Sequence, residues 1–440
     1  MNGPTALPPS SSNFFINFSG GICFLLALWY IGIYYPHFDF FTVTFLSILA
    51  AIVPIVTGEI FILKVHKRPA VGLQKPGVKD PDRVATKMFG FYGSLALLSG
   101  LYLLCPLYDM DQYHYPLLAM IVLMVLFCLG AVIYIPELDC RMKNPHDKLW
   151  HFGSILRGRW DCADKNVVRE HLKSVFLRGF FLPVMLLYFF WYIVVFIEGD
   201  KDLYFGLLEN MADFDGMVIL KTLLIVYTFL ATIDILFAVI GYIMAFKILD
   251  TDIRTTEPTF LGWVVCLICY SPFWEALLIT FLFERLYEDT WVDWFGSWHP
   301  AFIVIWGVCA ILAMMFEGFT TLNFGLRFSN LTYRGLISSG LFRFTKHPQY
   351  VSKMLNRFFV MVPFMSAFGI VGGIENVATF TVLCLIYYLR ARTEENHLSI
   401  YPEYVQYAQA MNNRSLFHGV GKYLPFLVYS EQKALERRLF

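Results

Sequence analysis

Residues 115–135 read YPLLAMIVLMVLFCLGAVIYI and contain no charged side chain. At 1.5 Å per residue, about 20 apolar residues in a helix cover the roughly 30 Å hydrocarbon core of a bilayer. Lipid offers no hydrogen-bond partner to the backbone, so a stretch of this kind crosses a membrane as a helix. The stretch therefore predicts a transmembrane helix.

Comparable apolar stretches occur along the rest of the chain. Apolar residues make up 58% of the sequence and charged residues 15%, against roughly 45–50% and about 25% in soluble domains. Mean hydropathy is +0.58. We therefore predict an all-α polytopic membrane protein with about ten spans, the last of them short and able to continue past the membrane as a longer helix. The predicted spans lie near 17–36, 40–63, 87–106, 115–135, 175–197, 216–246, 259–283, 300–324, 352–371 and 376–390.

The loop charges predict an orientation. Loops 64–86 and 136–174 are rich in Lys and Arg, which marks the cytoplasmic side. The intervening connections are acidic, so both termini, loop 325–351 and any active site there are expected to be cytoplasmic. The first apolar run lacks the flanking pattern of a cleaved signal peptide, so it is expected to remain as a span. The acidic residues are Glu198, Asp200, Asp202, Glu209, Asp213, Asp215, Glu284, Glu288, Asp289 and Asp293.

Three further features of the sequence limit what the protein does. Net charge is zero, so nothing points to a nucleic-acid partner. The nine cysteines are scattered, and the Cys266-x-x-Cys269 pair lies inside an apolar run, which favours buried apolar cysteines over a metal or redox site. The expected organisation is a tail at 1–16, whose Pro/Ser-rich stretch 4–12 is disordered at most, then a membrane bundle at 17–324 and a C-terminal module at 325–440 with two spans and a cytoplasmic helix.

Residues 334–350, RGLISSGLFRFTKHPQY, form a loop followed by a helix start. Gly335 and Gly340 favour close approach of the backbone to a ligand. Pro348 suits the first turn of the next helix. His347 and Tyr350 are three residues apart and therefore share one face of that turn.

Residues 387–398 read YYLRARTEENHL, and residues 401–407 read YPEYVQY. On a helix Arg390 and Glu394 share a face, whereas Glu395 lies on a different one. A hairpin formed by the last two spans is expected to bring His347 close to these charged residues at the cytoplasmic interface.

The HPxY motif, the hairpin, Arg390-x4-Glu395 and Glu403-Tyr404-x2-Tyr407 together resemble the isoprenylcysteine carboxyl methyltransferase and phospholipid methyltransferase superfamily, over residues 325–427. The resemblance implies an integral membrane enzyme that uses S-adenosylmethionine and methylates a lipid or lipidated acceptor. It implies cofactor-binding and catalytic roles at particular positions. For the cofactor these are Leu341, Arg343, Lys346, His347, Tyr350, Glu394, Glu395 and Tyr404, with Arg390 and Glu395 as catalytic residues.

Two other functions stay open. Ten spans with this module also resemble sterol reductases, which use a nicotinamide cofactor, although their pattern is closer to Arg-His-x-Asn-Tyr than to the present residues 346–350. A non-catalytic transporter or scaffold is the third possibility. The sequence leaves open the methyl acceptor, which could be a carboxylate, an amine or a carbon, and the oligomeric state.

Charged residues inside the predicted spans are costly and therefore informative. Asp234, Glu275, Glu317 and Arg357 either pair with one another or line a polar cavity, and we predict that Arg357 reaches the acceptor site as a catalytic residue. Residues 250–263, which include acidic and basic side chains, form a turn that either faces the C-terminal module or is a plain loop.

Overall fold

The computed structural model describes residues 7–198, 216–283, 289–295, 300–416 and 427–437, with 418, 419, 421 and 423. Most of the described chain is helical. The described strands are β1 (Thr255–Thr256) and β2 (Thr332–Tyr333), which pair antiparallel. Eight described helices are long and apolar enough to cross a membrane. The all-α membrane fold is thereby confirmed, and the count of ten spans stays a prediction.

The helices are numbered here in chain order. The eight that could cross a membrane are α1, α2, α3, α4, α6, α7, α10 and α12. Their bounds are α1 Phe14–Tyr34, α2 Phe40–Thr57, α3 Pro81–Leu104, α4 His114–Asp139, α5 Lys148–Leu156, α6 Lys165–Glu198, α7 Gly216–Ile243, α8 Phe260–Leu267, α9 Trp291–Phe295, α10 Pro300–Phe324, α11 Pro348–Met361, α12 Gly369–Leu398, α13 Pro402–Arg414 and α14 Glu431–Arg437.

Two predicted spans differ from the helices observed. The span predicted at 259–283 is interrupted, because α8 ends at Leu267 and a π-helical segment, Trp274–Phe283, follows Pro272. Proline has no N–H to donate and its ring disturbs the preceding turn. The span predicted at 352–371 ends early, since α11 stops at Met361 and the next residue, Val362, has a left-handed φ of 48°. Helix α12, in contrast, extends well beyond 376–390, as expected.

The bundle is built around α6, α7 and α10. Helix α7 packs against both α6 and α10, and α10 packs against α11. Large aromatic side chains fill the core, including Phe181, Phe189 and Phe237, which are fully buried. The contact of α10 with α11 fixes the C-terminal hairpin against the bundle.

Two of the four charged residues inside the predicted spans are satisfied by polar neighbours. Glu317 on α10 pairs with Lys353 at 2.7 Å and accepts a hydrogen bond from Asn356 at 3.1 Å, both on α11. Asp234 on α7 accepts a hydrogen bond from Thr321. Glu275 is exposed in the π-helical segment. Glu317 is therefore paired, but with a lysine on α11, whereas the prediction was a pair with another of the four residues or a place in the lining of a polar cavity.

The N-terminal tail expected at 1–16 is ordered from residue 7 onward, and α1 begins at Phe14. Asn13 caps α1 by accepting hydrogen bonds from two backbone N–H groups of its first turn. The expectation of disorder is wrong for this stretch. Of the acidic residues behind the predicted orientation, these lie outside the described residues: Asp200, Asp202, Glu209, Asp213, Asp215, Glu284 and Glu288.

Candidate functional site

The two ends of the C-terminal hairpin meet. Pro348 starts α11, so His347 is held at the edge of the first turn. Its Nε2 lies 3.2 Å from Oε1 of Glu395, and its Nδ1 lies 3.7 Å from Oε2 of Glu394. The sequence-based expectation that this histidine and these glutamates come together is confirmed.

The Glu395 carboxylate is occupied by the chain itself. Nζ of Lys346 lies 2.6 Å from its Oε1, and the Arg392 guanidinium pairs with its Oε2. Glu395 is only 2% exposed, and a buried carboxylate is stable only when it is paired in this way. In this arrangement Glu395 holds Lys346, His347 and Arg392 together, rather than offering free oxygens to a cofactor amino group.

The His347 imidazole favours its protonated form. Burial on its own would lower the pKa of His347, but hydrogen bonds to Glu394 and Glu395 outweigh that effect and raise the pKa above the ordinary value. Its ring also stacks on Tyr350, with centroids 5.6 Å apart. The imidazole is thus fixed between two carboxylates that favour its protonated form.

A polar cavity of about 100 Å³ lies between the start of α11, one face of α12 and the loop that follows α10. On α12, Arg390, Glu394 and His397 share the face that lines it, as their spacing requires. Other polar or charged lining residues are Glu257, Arg327, Asn330, Tyr333, Arg334, Lys346, His347, Tyr350 and Tyr404.

Arg390 lies among aromatic rings in this cavity. Its guanidinium carbon is 5.1 Å from the centroid of Tyr350, 5.2 Å from Tyr387 and 5.6 Å from Tyr270. Its Nη2 donates to Oδ1 of Asn330 at 3.2 Å. Among the described residues, the buried Nη1 of Arg390 has no hydrogen-bond partner, and nor does the hydroxyl of Tyr404. Unsatisfied buried polar groups are uncommon, so these two donors, on residues that line the cavity, are candidates for contact with a ligand oxygen.

The turn at 250–263 faces the C-terminal module. Strand β1 pairs with β2, and Oγ1 of Thr255 lies 2.8 Å from Nε2 of His397 and 2.8 Å from the hydroxyl of Tyr401. Glu257 Oε2 is 3.8 Å from Nδ1 of His397. Of the two alternatives for this turn, the one in which it completes the polar cavity is therefore observed.

An apolar groove of about 730 Å³ lies beside the polar cavity. Helices α11 and α12 supply most of its apolar lining, and Lys346, Arg392 and Glu395 lie at its polar end. Three residues, Lys346, His347 and Tyr350, line both the cavity and the groove; we call them the junction. Apolar and sulfur-containing groove residues on the two helices are Val351, Met354, Leu355, Phe358, Phe380 and Cys384.

Three predicted site residues are not brought to either space. Leu341, Arg343 and Arg357 are absent from the described lining of the cavity and of the groove. Residues 340–343 form a 3₁₀ turn that buries Phe342 and leaves Arg343 exposed. Arg357 does not reach either space because it lies on a different face of α11 from the residues near His347.

The glycines of the loop also have a different role from the one predicted. A Cβ on Gly340 would lie 2.2 Å from Oδ1 of Asn323 on α10. The glycine is therefore required by packing against the bundle, whereas ligand approach was the prediction.

Several cavity residues carry no signal that the sequence motif could have supplied. Arg334 is buried and donates hydrogen bonds to the carbonyl oxygens of Thr251, Gly241 and Phe328, which fixes the loop against the end of α7. Burial lowers its pKa to about 9. Asn330 and Tyr270 reach Arg390 only through tertiary packing, so neither could be placed there from its position in the chain.

No protein-family model, curated protein or solved structure matches this chain. Its fold and site instead define a class by their own features. The protein is a helical membrane protein in which a polar cavity with unpaired donors adjoins an apolar groove at three shared residues.

Proposed function

We propose that this protein is an integral membrane methyltransferase that uses S-adenosylmethionine and acts on a lipid or lipidated acceptor at the cytoplasmic face. The observation that carries the proposal is the junction. Because Lys346, His347 and Tyr350 line both spaces, a charged cofactor in the cavity and an apolar acceptor in the groove would meet there.

The polar cavity has the donor and acceptor groups that this cofactor needs. The cofactor presents an ammonium, a carboxylate, a sulfonium and an adenine. Glu394 also lies beside His347, at 3.7 Å, but its side chain is 38% exposed and lines the cavity, so it would pair with the ammonium, whereas Glu395 is buried among three cationic side chains. The unpaired Nη1 of Arg390 and the hydroxyl of Tyr404 would donate to the carboxylate. Aromatic faces such as Tyr350 suit the sulfonium.

The apolar groove suits the acceptor's tail. Burying apolar surface contributes about 25 cal/mol per Å², so a lipid chain between α11 and α12 would anchor the acceptor with its polar head at the junction. The bound cofactor supplies an electrophilic methyl group. The protein's contribution is then mainly to hold the acceptor in line with that methyl group. His347, whose two ring nitrogens face Glu394 and Glu395, would hold these two glutamates in place beside the acceptor head and would not act as a base.

One observation favours a second function, that of a nicotinamide-dependent reductase. Arg327 and Arg334 line the cavity together with Lys346 and Arg390. The cavity therefore has more basic side chains than Lys346 and Arg390 alone would give it. Phosphate groups of a nicotinamide dinucleotide would suit such a site. Arg327 is, however, paired with Glu59 at 2.9 Å, and Arg334 is committed to carbonyl oxygens, so both are largely used by the fold.

Calorimetric titration of the detergent-purified protein separates the two functions. We expect S-adenosylhomocysteine to bind and a reduced nicotinamide dinucleotide not to bind. Glu394→Gln should abolish the heat of binding, because it removes the carboxylate expected to pair with the ammonium. The exposed Glu436→Gln is the matched control and should bind as the natural protein does. Binding of the nicotinamide alone would overturn the methyltransferase proposal, and binding of neither would favour a non-catalytic protein.

A further inference from the structure

One wall of the polar cavity is a loop whose backbone polar groups are not paired within a helix or a sheet. Residues 334–339, here called the wall, follow β2 and have no regular secondary structure. Four of them, Arg334, Gly335, Leu336 and Ile337, line the cavity. Backbone polar groups in such a segment need partners from elsewhere.

The N-terminal segment 7–12, here called the strap, supplies several of these partners. The backbone N–H of Ser11 donates to the carbonyl of Leu336 at 2.8 Å. The hydroxyl of Ser338 donates to the carbonyl of Pro8 at 2.6 Å. The hydroxyl of Ser10 accepts hydrogen bonds from the Ser338 N–H at 3.4 Å and the Ser339 hydroxyl at 3.1 Å. Strap and wall therefore run against each other, joined by backbone and side-chain bonds.

The close approach of the two segments depends on a glycine. Gly335 has a φ of 120°, and a Cβ at this position would lie 2.8 Å from Oγ of Ser11 and 3.0 Å from its Cβ. A larger residue would therefore be strained at this backbone conformation and would have to displace Ser11. The glycine that suggested ligand approach lines the cavity and also accommodates the strap.

The other side of the strap is bonded to the rigid part of the molecule. Nη1 of Arg68 donates to the carbonyl of Ser11 at 3.0 Å and pairs with Asp250 at 3.0 Å. The side-chain amide of Asn17 on α1 donates to Oγ of Ser12 at 2.9 Å and to the carbonyl of Leu322 on α10 at 2.6 Å. The strap thus links the wall to α1, to α10 and to the turn that follows α7.

We propose that the strap is a positioning element that orders the cavity wall from outside and thereby sets the affinity of the cavity for its charged ligand. It touches the wall and lines no part of the described cavity itself. The claim about order stands on the contacts above, and the claim about affinity rests on the proposed function.

Hydrogen exchange tests the first claim. Ser10→Ala combined with Ser338→Ala removes the side-chain bonds between strap and wall. Exchange of the amides at 334–339 should become roughly tenfold faster, as expected when hydrogen bonds of ordinary strength are lost. Ser10→Thr alone, with Ser338 unchanged, keeps a hydroxyl at position 10. In this variant the wall amides should exchange as slowly as in the natural protein. Ser19→Ala removes a hydroxyl bonded only within α1 and is the matched control. Unchanged exchange in the double variant would overturn the proposal.

Ligand affinity tests the second claim. The Cβ of Gly335→Ala should push the strap away from the wall and weaken S-adenosylhomocysteine binding about tenfold. The double serine variant should weaken binding by a similar factor. Gly72→Ala is a control of similar backbone strain, since Gly72 has a φ of 65° but nothing within 4 Å of its would-be Cβ. Faster wall exchange with unchanged affinity would overturn the claim about affinity. A natural protein that binds no S-adenosylhomocysteine would contradict the proposed function, while the exchange result would still decide the role of the strap.

Discussion

At the scale of single residues, two adjacent glutamates on α12 have different environments. Glu395 is buried among Lys346, His347 and Arg392, whereas Glu394 faces the polar cavity. Removing one partner from a buried ion cluster costs about 3–5 kcal/mol. We therefore expect Glu395→Gln to lower the unfolding free energy by that amount, and Glu394→Gln to lower it far less while abolishing ligand binding. Thermal unfolding in detergent, with and without S-adenosylhomocysteine, measures both. Equal loss of stability in the two variants would contradict the distinction.

The raised pKa of His347 gives a second prediction at this scale. A group whose pKa is higher in the folded state stabilises the fold fully below its unfolded pKa, which is 6.5 for histidine, and loses that contribution as pH rises through the folded pKa. The difference in melting temperature between the natural protein and His347→Gln should therefore be largest at low pH and shrink above the raised pKa. Melting curves from about pH 5 to about pH 9 would show this.

The control for this measurement is the exposed His418. His418→Gln should leave the melting temperature close to that of the natural protein across the same range, because this exposed side chain is bonded to the carbonyl of Ser415 and not held between two carboxylates. If the difference in melting temperature between the natural protein and His347→Gln grew with pH, that result would contradict a raised pKa for a histidine held by Glu394 and Glu395.

At the scale of elements, the contact between α10 and α11 holds the hairpin on the bundle. Glu317 is 6% exposed and pairs with Lys353 across this contact. Lys353→Met leaves that carboxylate without its cation, so we expect a loss of about 3–5 kcal/mol in unfolding free energy. The double variant Lys353→Met with Glu317→Gln should recover much of it, because it removes the Glu317 charge together with its cation. A double-mutant cycle on thermal unfolding measures the coupling, and additive losses would contradict it.

The sequence predicted those elements that depend on apolar length. Residues 115–135 form most of α4, and the eight long helices all coincide with predicted spans. It did not predict the early end of α11, which follows from the backbone at Val362, or the break after α8. In the site, it predicted that His347 meets Glu394 and Glu395, because a short hairpin leaves few alternatives. Arg334, Asn330 and Tyr270 arrive through tertiary packing, which no local pattern encodes.

At the scale of the whole molecule, the predicted orientation can be tested with one cysteine. Among the described cysteines only Cys162, between α5 and α6, is exposed. The basic loop around it is expected to be cytoplasmic, so a membrane-impermeant maleimide should label Cys162 in sealed inside-out vesicles and not in right-side-out ones. Cys162→Ser should remove the signal. Labelling only in right-side-out vesicles would contradict the predicted orientation.

The central claim for the whole molecule is that a sulfonium cofactor binds in the polar cavity, next to an acceptor groove. The most direct measurement is a structure of the full chain determined with saturating S-adenosylhomocysteine. We expect its amino group at Glu394, its carboxylate near Arg390 and Tyr404, and its sulfur toward the junction of Lys346, His347 and Tyr350. A cavity that stays empty under these conditions, or that is filled instead by an added nicotinamide dinucleotide, would contradict the claim.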